Sequence, residues 1–305
     1  MNTLTTGVSF LDVQFQGVER IIASALLHGS AGVAIVDPGP SSTLDSLRRE
    51  LASAGLSIRD VTSLLLTHIH LDHAGAAGTL VHENPAIRVY VHEHGAPHMI
   101  RPEKLLASAA RLYGDAMDRL WGEVRDVPAA SIVALKGGER LDVAGRFWDV
   151  VYTPGHASHH VSYFSRDAGV AFVGDTAGVK VLASGIVIPP TPPPDIDLEL
   201  WRDSIARIAQ RAPDTLFLTH FGPVGSSEAH LAEFGRALEW AAGLARTALA
   251  RDEGDAERET WFCDEMRREL RRRMAEKDAE LYEFAAPFGL CWRGLARYWR
   301  KRSER

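Results

Sequence analysis

Cysteine is nearly absent: Cys263 and Cys291 are the two in 305 residues. They can form one disulfide at most and cannot build a thiolate cluster, so any metal must be held by nitrogen and oxygen. Also missing is any apolar run near the roughly 18 residues a membrane span requires. The start MNTLTTGVSF has neither a basic leader nor an apolar secretory core. These absences lead to the expectation of a cytoplasmic chain with no membrane partner. Basic residues are in deficit, with 34 Lys and Arg against 40 Asp and Glu, a net charge of -6. That excludes the basic footprint of a sequence-independent nucleic-acid binder. No internal repeat occurs at a solenoid period. With 46% hydrophobic and 24% charged residues the composition is that of an ordinary globular protein. At about 100–200 residues per domain, the length suits one large domain, or a domain with an appendage.

Strand and helix signals alternate, which favours a layered α/β architecture. Residues 17–28 (GVERIIASALLH) and 33–36 read as early strands, the second stopped by Asp37-Pro38-Gly39. Leu44, Leu47 and Leu51 at helical spacing, capped by Ser42 or Thr43 and ended by Gly55, predict the first helix. A short apolar strand over 61–67 runs straight into His68, and 72–81 reads as helix. Further strands are expected at 87–91, 131–135, 147–153, 161–165 and 170–174. Between them a helical stretch over 102–121 carries one apolar stripe, Leu105, Leu106, Ala109, Leu112 and Tyr113, read as cap packing. The proline-rich stretch over 188–194 cannot join a ladder and reads as a stiff rim loop. A helix over 197–211 and a strand over 215–219 then continue the pattern. From about residue 226 the chain turns helical, and Phe262, Met266, Leu270, Phe288, Trp292 and Leu295 give those helices an apolar side that must pack on something.

The chemistry concentrates in Thr67-His68-Ile69-His70-Leu71-Asp72-His73, three imidazoles and a carboxylate within six positions. Neutral imidazole is the commonest protein metal ligand and carboxylate suits hard divalent ions, so one loop with this spacing can serve two adjacent metals. His68 and His70 would face one ion, while Asp72 and His73, opening the next helix, would face a second. A catalytic site needs more ligands from distant strand ends. The sequence offers Thr153-Pro154-Gly155-His156, Val173-Gly174-Asp175 and Leu218-Thr219-His220. His94 and His98 are candidate substrate contacts, and His28, His82, His92 and His230 read as surface or partly packed residues.

These residues and their order resemble the metallo-β-lactamase fold superfamily, in particular its glyoxalase II-like hydrolases, over roughly residues 17–225. The resemblance implies a four-layer αβ/βα sandwich. It also implies a first metal on His68, His70 and His156, a second on Asp72, His73 and His220, and Asp175 bridging both. His160 matches the second histidine of the family's TPGHxxxH pattern, with His159 where a glycine is common. Asp37 matches an outer carboxylate that orients a ligand histidine. The expected division is a catalytic domain over 1–225 and a helical C-terminal extension over 226–305 packed on it. That extension would cover the site, offer a homodimer surface, or do both.

The resemblance further implies two divalent ions, zinc by default for a histidine-rich site, with manganese or iron accepting the same ligands. Hydrolysis of an ester-like bond in a small-molecule substrate, with thioester or lactone preferred, would proceed by attack of a metal-bridging hydroxide, Asp72 assisting as catalytic residue. Several relatives are disfavoured. The segment 174–179 lacks the tyrosine of acyl-homoserine lactonases, and the arginine-rich end does not map onto glutathione-gripping residues. The alternative is a persulfide dioxygenase-like oxidoreductase, which uses the same scaffold with one iron and molecular oxygen.

Overall fold

Two strands that the sequence pattern does not mark open the chain: β1 (Asn2–Thr5) and β2 (Val8–Asp12) pair antiparallel ahead of β3 (Ala23–Gly29). The computed structural model describes residues 1–29 and 31–303. Next come β4 (Gly32–Val36), α1 (Leu44–Ser53), β5 (Val61–Leu65), α2 (Leu71–Ala74), α3 (Ala77–Glu83) and β6 (Arg88–His92). The first half ends with α4 (Ala96–Ile100), α5 (Glu103–Tyr113), α6 (Met117–Trp121) and β7 (Ile132–Leu135). Strands β1 to β7 form one sheet in sequence order, antiparallel from β1 to β4 and parallel from β4 to β7.

The second sheet contains β8 (Arg140–Val143), β9 (Arg146–Tyr152), β10 (Val161–Ser165) and β11 (Val170–Phe172). Helix α7 (Leu198–Gln210) then crosses over to β12 (Thr215–Leu218), which turns back into β13 (Gly222–Gly225). Its order is β13-β12-β11-β10-β9-β8. The tail is α8 (Ser227–Leu249), α9 (Asp255–Arg271), α10 (Glu276–Ala285) and α11 (Phe288–Ser303); residues 304–305 of the expected extension lie outside the described residues.

Alternation along the strands creates the layers, because successive side chains point to opposite faces. In β4, Ala34 and Val36 face the second sheet, packing in one cluster with Trp148, Tyr163, Phe172 and Phe217. Val33 and Ile35 face the helices beside Leu47, Leu51, Leu80 and Trp121. The outer face of the second sheet is covered in the same way, with Phe164, Leu216 and Leu218 against Ile208 of α7 and Leu231 of α8. The result is helix, sheet, sheet, helix, the four-layer αβ/βα sandwich expected from the sequence.

The tail does not stand apart from this core. Val179, Val187, Ile188 and Trp201 pack in one cluster with Phe234, Phe262, Phe288 and Leu295. Burying each such side chain contributes about 1.5–3 kcal/mol. At Gly294 a Cβ would lie 1.9 Å from the Thr191 carbonyl oxygen, so α11 can approach the proline loop only because that residue is glycine.

Several sequence boundaries are corrected. The strand expected at 17–28 begins only at Ala23, because Arg20 has φ +65° and gives its backbone N–H to Asp12 Oδ2 at 2.6 Å. The helix expected over 72–81 divides into α2 and α3. There the backbone of Gly39 donates to the His73 carbonyl and accepts from Ala76 N, taking both groups out of the helical ladder. The stretch over 102–121 breaks at Gly114, with φ +50°. Strand β13 (Gly-Pro-Val-Gly) has no alternation and β8 (Arg-Leu-Asp-Val) only four residues of it, and both are supplied by pairing.

Candidate metal centre

Parallel registry brings the strand ends together. Val36 of β4 pairs with Leu65 of β5, so the residues just beyond, Asp37 and Thr67, meet at one sheet edge. In the other sheet β9, β11 and β12 run the same way, so the loops after them carry His156, Asp175 and His220 to a common edge. The two edges are joined by backbone bonds, Val161 N to Thr67 O and Ala23 N to Thr219 O, each 2.8 Å.

Seven candidate ligands converge there. His68 Nε2 and His156 Nε2 each lie 2.9 Å from His70 Nδ1. On the other side His220 Nε2 is 3.3 Å from Asp72 Oδ2, and His73 Nε2 is 3.8 Å from the same oxygen. Asp175 lies between the groups: Oδ2 is 3.3 Å from His156 Nε2, whereas Oδ1 is 3.3 Å from His73 Nε2 and 3.5 Å from His220 Nε2. Three sets, His68-His70-His156, His68-His73-Asp175 and Asp72-His73-His220, each bring their donor atoms within 4.8 Å of one another.

The rings are aimed by the atoms behind them. His73 Nδ1 donates to Asp37 Oδ2 at 2.8 Å, His156 Nδ1 to the Pro190 carbonyl at 2.9 Å, and His220 Nδ1 to the Ile21 carbonyl at 2.7 Å. Each bond keeps a proton on Nδ1 and turns Nε2 toward the centre. Asp37 also accepts from Thr67 N, Thr67 Oγ1 and Thr219 Oγ1 at 2.7–2.8 Å. His160 is not among the converging nitrogens. Its Nε2 accepts from Asp175 N at 3.3 Å, and its Nδ1 lies 3.0 Å from Thr153 Oγ1, so it holds the Asp175 backbone. Gly174, with φ +46°, is required beside it: a Cβ there would lie 2.5 Å from Thr67 Oγ1 and 2.7 Å from His160 Nε2.

Burial pushes the His68 and His156 imidazoles below their ordinary range and His70 down to about 4, so these rings are neutral at neutral pH. Burial pushes Asp72 upward, but His73 and His220 outweigh it and hold the carboxyl at about 2. Asp175 is likewise held well below the usual carboxylate range by His73, His156 and His220 against the effect of burial. These are the protonation states a divalent cation needs, whereas His73 and His220, raised above their ordinary range by Asp175 and Asp72 despite burial, would release a proton on binding one. The buried atoms His73 Nε2 and Asp175 Oδ1 have no hydrogen-bond partner among the described residues. Orphaned buried groups of this kind are costly, and a shared cation would satisfy both. The donor set therefore fits divalent metal.

Of the remaining sequence candidates, His94 and His98 line the cavity above the centre. His28 bonds Ser9, and His82 is exposed near Asp126. His92 and His230 are corrected from surface or partly packed to buried, the first stacked on Tyr152 and the second bonded to the Ala177 carbonyl. Sequence reasoning gave His159 no role. It is buried, lies parallel to the His68 ring at 6.1 Å and lines the same cavity. The available signal was a third histidine beside His156 and His160.

The metallo-beta-lactamase superfamily model matches residues 17–220. The metallo-beta-lactamase fold-containing protein ST1585 of Sulfurisphaera tokodaii is 32% identical over 173 residues, 55% of this chain and 64% of that protein. A hydroxyacylglutathione hydrolase of Synechococcus sp. is 29% identical over 153 residues, 50% of this chain and 47% of that enzyme. These matches span less than two thirds of the length of either relative. The crystal structure of metallo-beta-lactamase family protein TTHA1429 from Thermus thermophilus shares the fold with a TM-score of 0.74 at 23% identity, covering 99% of this chain and 95% of that one. This chain belongs to the metallo-beta-lactamase superfamily, and at the family level that membership supports a metal-dependent hydrolase. Among the described residues no helix is long and apolar enough to cross a membrane.

Proposed function

We propose that the chain is a dinuclear metal-dependent hydrolase of an ester-like bond, with thioester or lactone preferred. The observation that carries this reading is the division of the Asp175 carboxylate, with one oxygen toward His156 and the other toward His73 and His220. His68, His70 and His156 would hold one ion, Asp72, His73 and His220 the other, and Asp175 would belong to both. Zinc is the preferred metal for this donor set, and manganese or iron accepts the same ligands. Two divalent ions held there would supply Lewis-acid polarisation of a scissile carbonyl and a water acidified to near neutrality.

The protein's own groups do the rest. Asp72, ionised and partly open to the cavity, offers a carboxylate oxygen that accepts a hydrogen bond from the attacking water. Asp37 and His160 keep His73 and Asp175 in place. Residues 1–225 would form the catalytic unit, with the helices after 226 closing the cavity. The relatives named hydroxyacylglutathione hydrolase favour thioesters, because an acylglutathione is one.

Elemental analysis of protein purified without chelator should find two divalent ions per chain. A panel of thioesters, lactones and phosphodiesters should then give turnover that Asp72→Ala abolishes. One iron per chain with oxygen uptake on a persulfide, or full activity in Asp72→Ala, would overturn the reading.

A further inference from the structure

The cavity above the metal-binding cluster has a volume of about 280 Å³, and its two ends differ in chemistry. One end is mostly apolar and starts at the metal loop itself, since Leu71 sits between His70 and Asp72. It continues along Leu105 and Leu112, seven residues apart on α5 and so on one helical face, to Trp121, with Lys104 and Ser108 the polar residues of that helix on the same wall. Ala286 and Leu290 close it from the α10–α11 turn. At the other end Ser158, Pro194 and Asp195 form a polar rim. They are shared with a second cavity, whose wall includes Arg297 and Lys301.

Leu112 and Leu290 mark the difference between this space and the packed interior. Both are half-buried leucines on the cavity wall, yet among the described residues neither joins an apolar cluster. Interiors are otherwise close-packed, so two such side chains on a concave wall lack partner atoms that an apolar ligand would supply. Ligand sites characteristically combine an apolar wall with a few convergent polar groups, here the metal-binding cluster on the floor.

We infer that this cavity holds the acyl chain of the substrate, and that the chain is apolar: the substrate is a thioester or ester of a medium-length fatty acid whose polar leaving group exits past Ser158 and Asp195. The inference rests on the hydrolase reading and narrows it. Against a cavity of about 150 Å³ that holds one benzene, about 25 Å³ per carbon, the whole volume, floor and rim included, admits on the order of ten non-hydrogen atoms. In hydrolysis of such a thioester the water oxygen bonds the acyl carbon as the carbon–sulfur bond breaks. The thiol leaves with one proton, and a carboxylate and a second proton are released. A small hydroxyacyl group would leave the leucine wall wet and place a hydroxyl against it.

The test uses metal-loaded protein and N-acetylcysteamine thioesters from acetyl to decanoyl. The value of kcat/KM should rise about fourfold per methylene until the cavity is full. Alkyl acetates of increasing alcohol length should show no such rise. Leu112→Gln with Leu290→Gln should lower the octanoyl-to-acetyl ratio at least tenfold. Calorimetry on the unsubstituted protein, metal-free and metal-loaded, should show octanoate binding more tightly than butyrate, which requires neither turnover nor a folded variant. Hydrolysis with no dependence on acyl length, a rise on the alcohol side instead, or equal binding of octanoate and butyrate would overturn the acyl pocket and leave the hydrolase standing. Chain-length-dependent binding without hydrolysis of any ester would support the pocket and overturn the hydrolase.

Discussion

His73 Nδ1 donates to Asp37 Oδ2 across 2.8 Å, with both side chains sealed from solvent. Asp37 follows β4 and His73 lies in α2 after β5, both in the parallel half of one sheet, and the bond leaves His73 Nε2 facing Asp175. Asp37 accepts three further hydrogen bonds, so one carboxylate sets a ligand tautomer and ties the β4, β5 and β12 ends together.

Asp37→Asn should therefore weaken two properties at once. Replacing an acceptor with a partly donating amide leaves buried donors facing each other, at a cost of about 1–3 kcal/mol in urea unfolding. Affinity for the metal we propose His73 holds should fall about 10–100-fold in a chelator competition titration.

His156 and His160 lie close in sequence and should behave differently. His156→Ala removes a converging nitrogen and should reduce elemental stoichiometry from two ions per chain toward one. His160→Ala removes the acceptor for Asp175 N and should keep two ions, bound about 10–100-fold more weakly. Equal stoichiometry in the two variants would contradict these roles.

Metal-free protein should lose stability on mild acidification. Burial lowers the pKa of His68, His70, His156, His159 and His160 in the folded state, so below their ordinary value of 6.5 the unfolded chain binds protons that the folded chain refuses. For a depressed imidazole, stability falls with pH below 6.5, by about 1.4 kcal/mol per pH unit per group, and for His70 down to about 4. His73 and His220 are raised despite burial, by Asp175 and Asp72, and work the other way: their contribution is full below 6.5 and is lost as pH rises through their folded values. Five lowered rings outweigh two raised ones. Urea midpoints of metal-free protein should drop between pH 7 and pH 5, and added zinc should raise the midpoint at pH 7.

The tail should unfold with the sandwich. Leu295→Ala removes a fully buried side chain from the cluster that joins α11 to Val187 and Trp201, and should cost about 2–5 kcal/mol. A single cooperative transition, shifted as a whole, is the expected result. Two separate transitions would mean that residues 226–303 fold as an independent unit.

Much of the centre was legible because its spacing is local. Four of the candidate ligands occupy one turn after one strand, and the other three each follow a recognisable apolar strand, so residue type and order were enough to nominate them. Less of the periphery was legible. Strands β1 and β13 carry little alternation and β8 only four residues of it, and all three exist through pairing. The break between α2 and α3 comes from the Gly39 backbone, more than thirty positions away. The stripe of Leu105, Ala109 and Leu112 was visible, but a period of 3.6 says that a helix has an apolar face and not whether that face meets core or cavity.

The sequence by itself determined the candidate donor set: nitrogen and oxygen groups, their His-x-His-x-Asp-His spacing, and the layered α/β fold that presents strand ends to one edge. Those properties depend on residue identity and short-range periodicity, which the chain states directly. Tertiary structure alone decided which imidazole nitrogen faces the centre and which Asp175 oxygen faces which histidines. It also decided that α5 and the α10–α11 turn, more than 160 residues apart, form the wall of one cavity. Contacts of that kind follow from sheet registry and the packing of distant helices, and no local pattern encodes them.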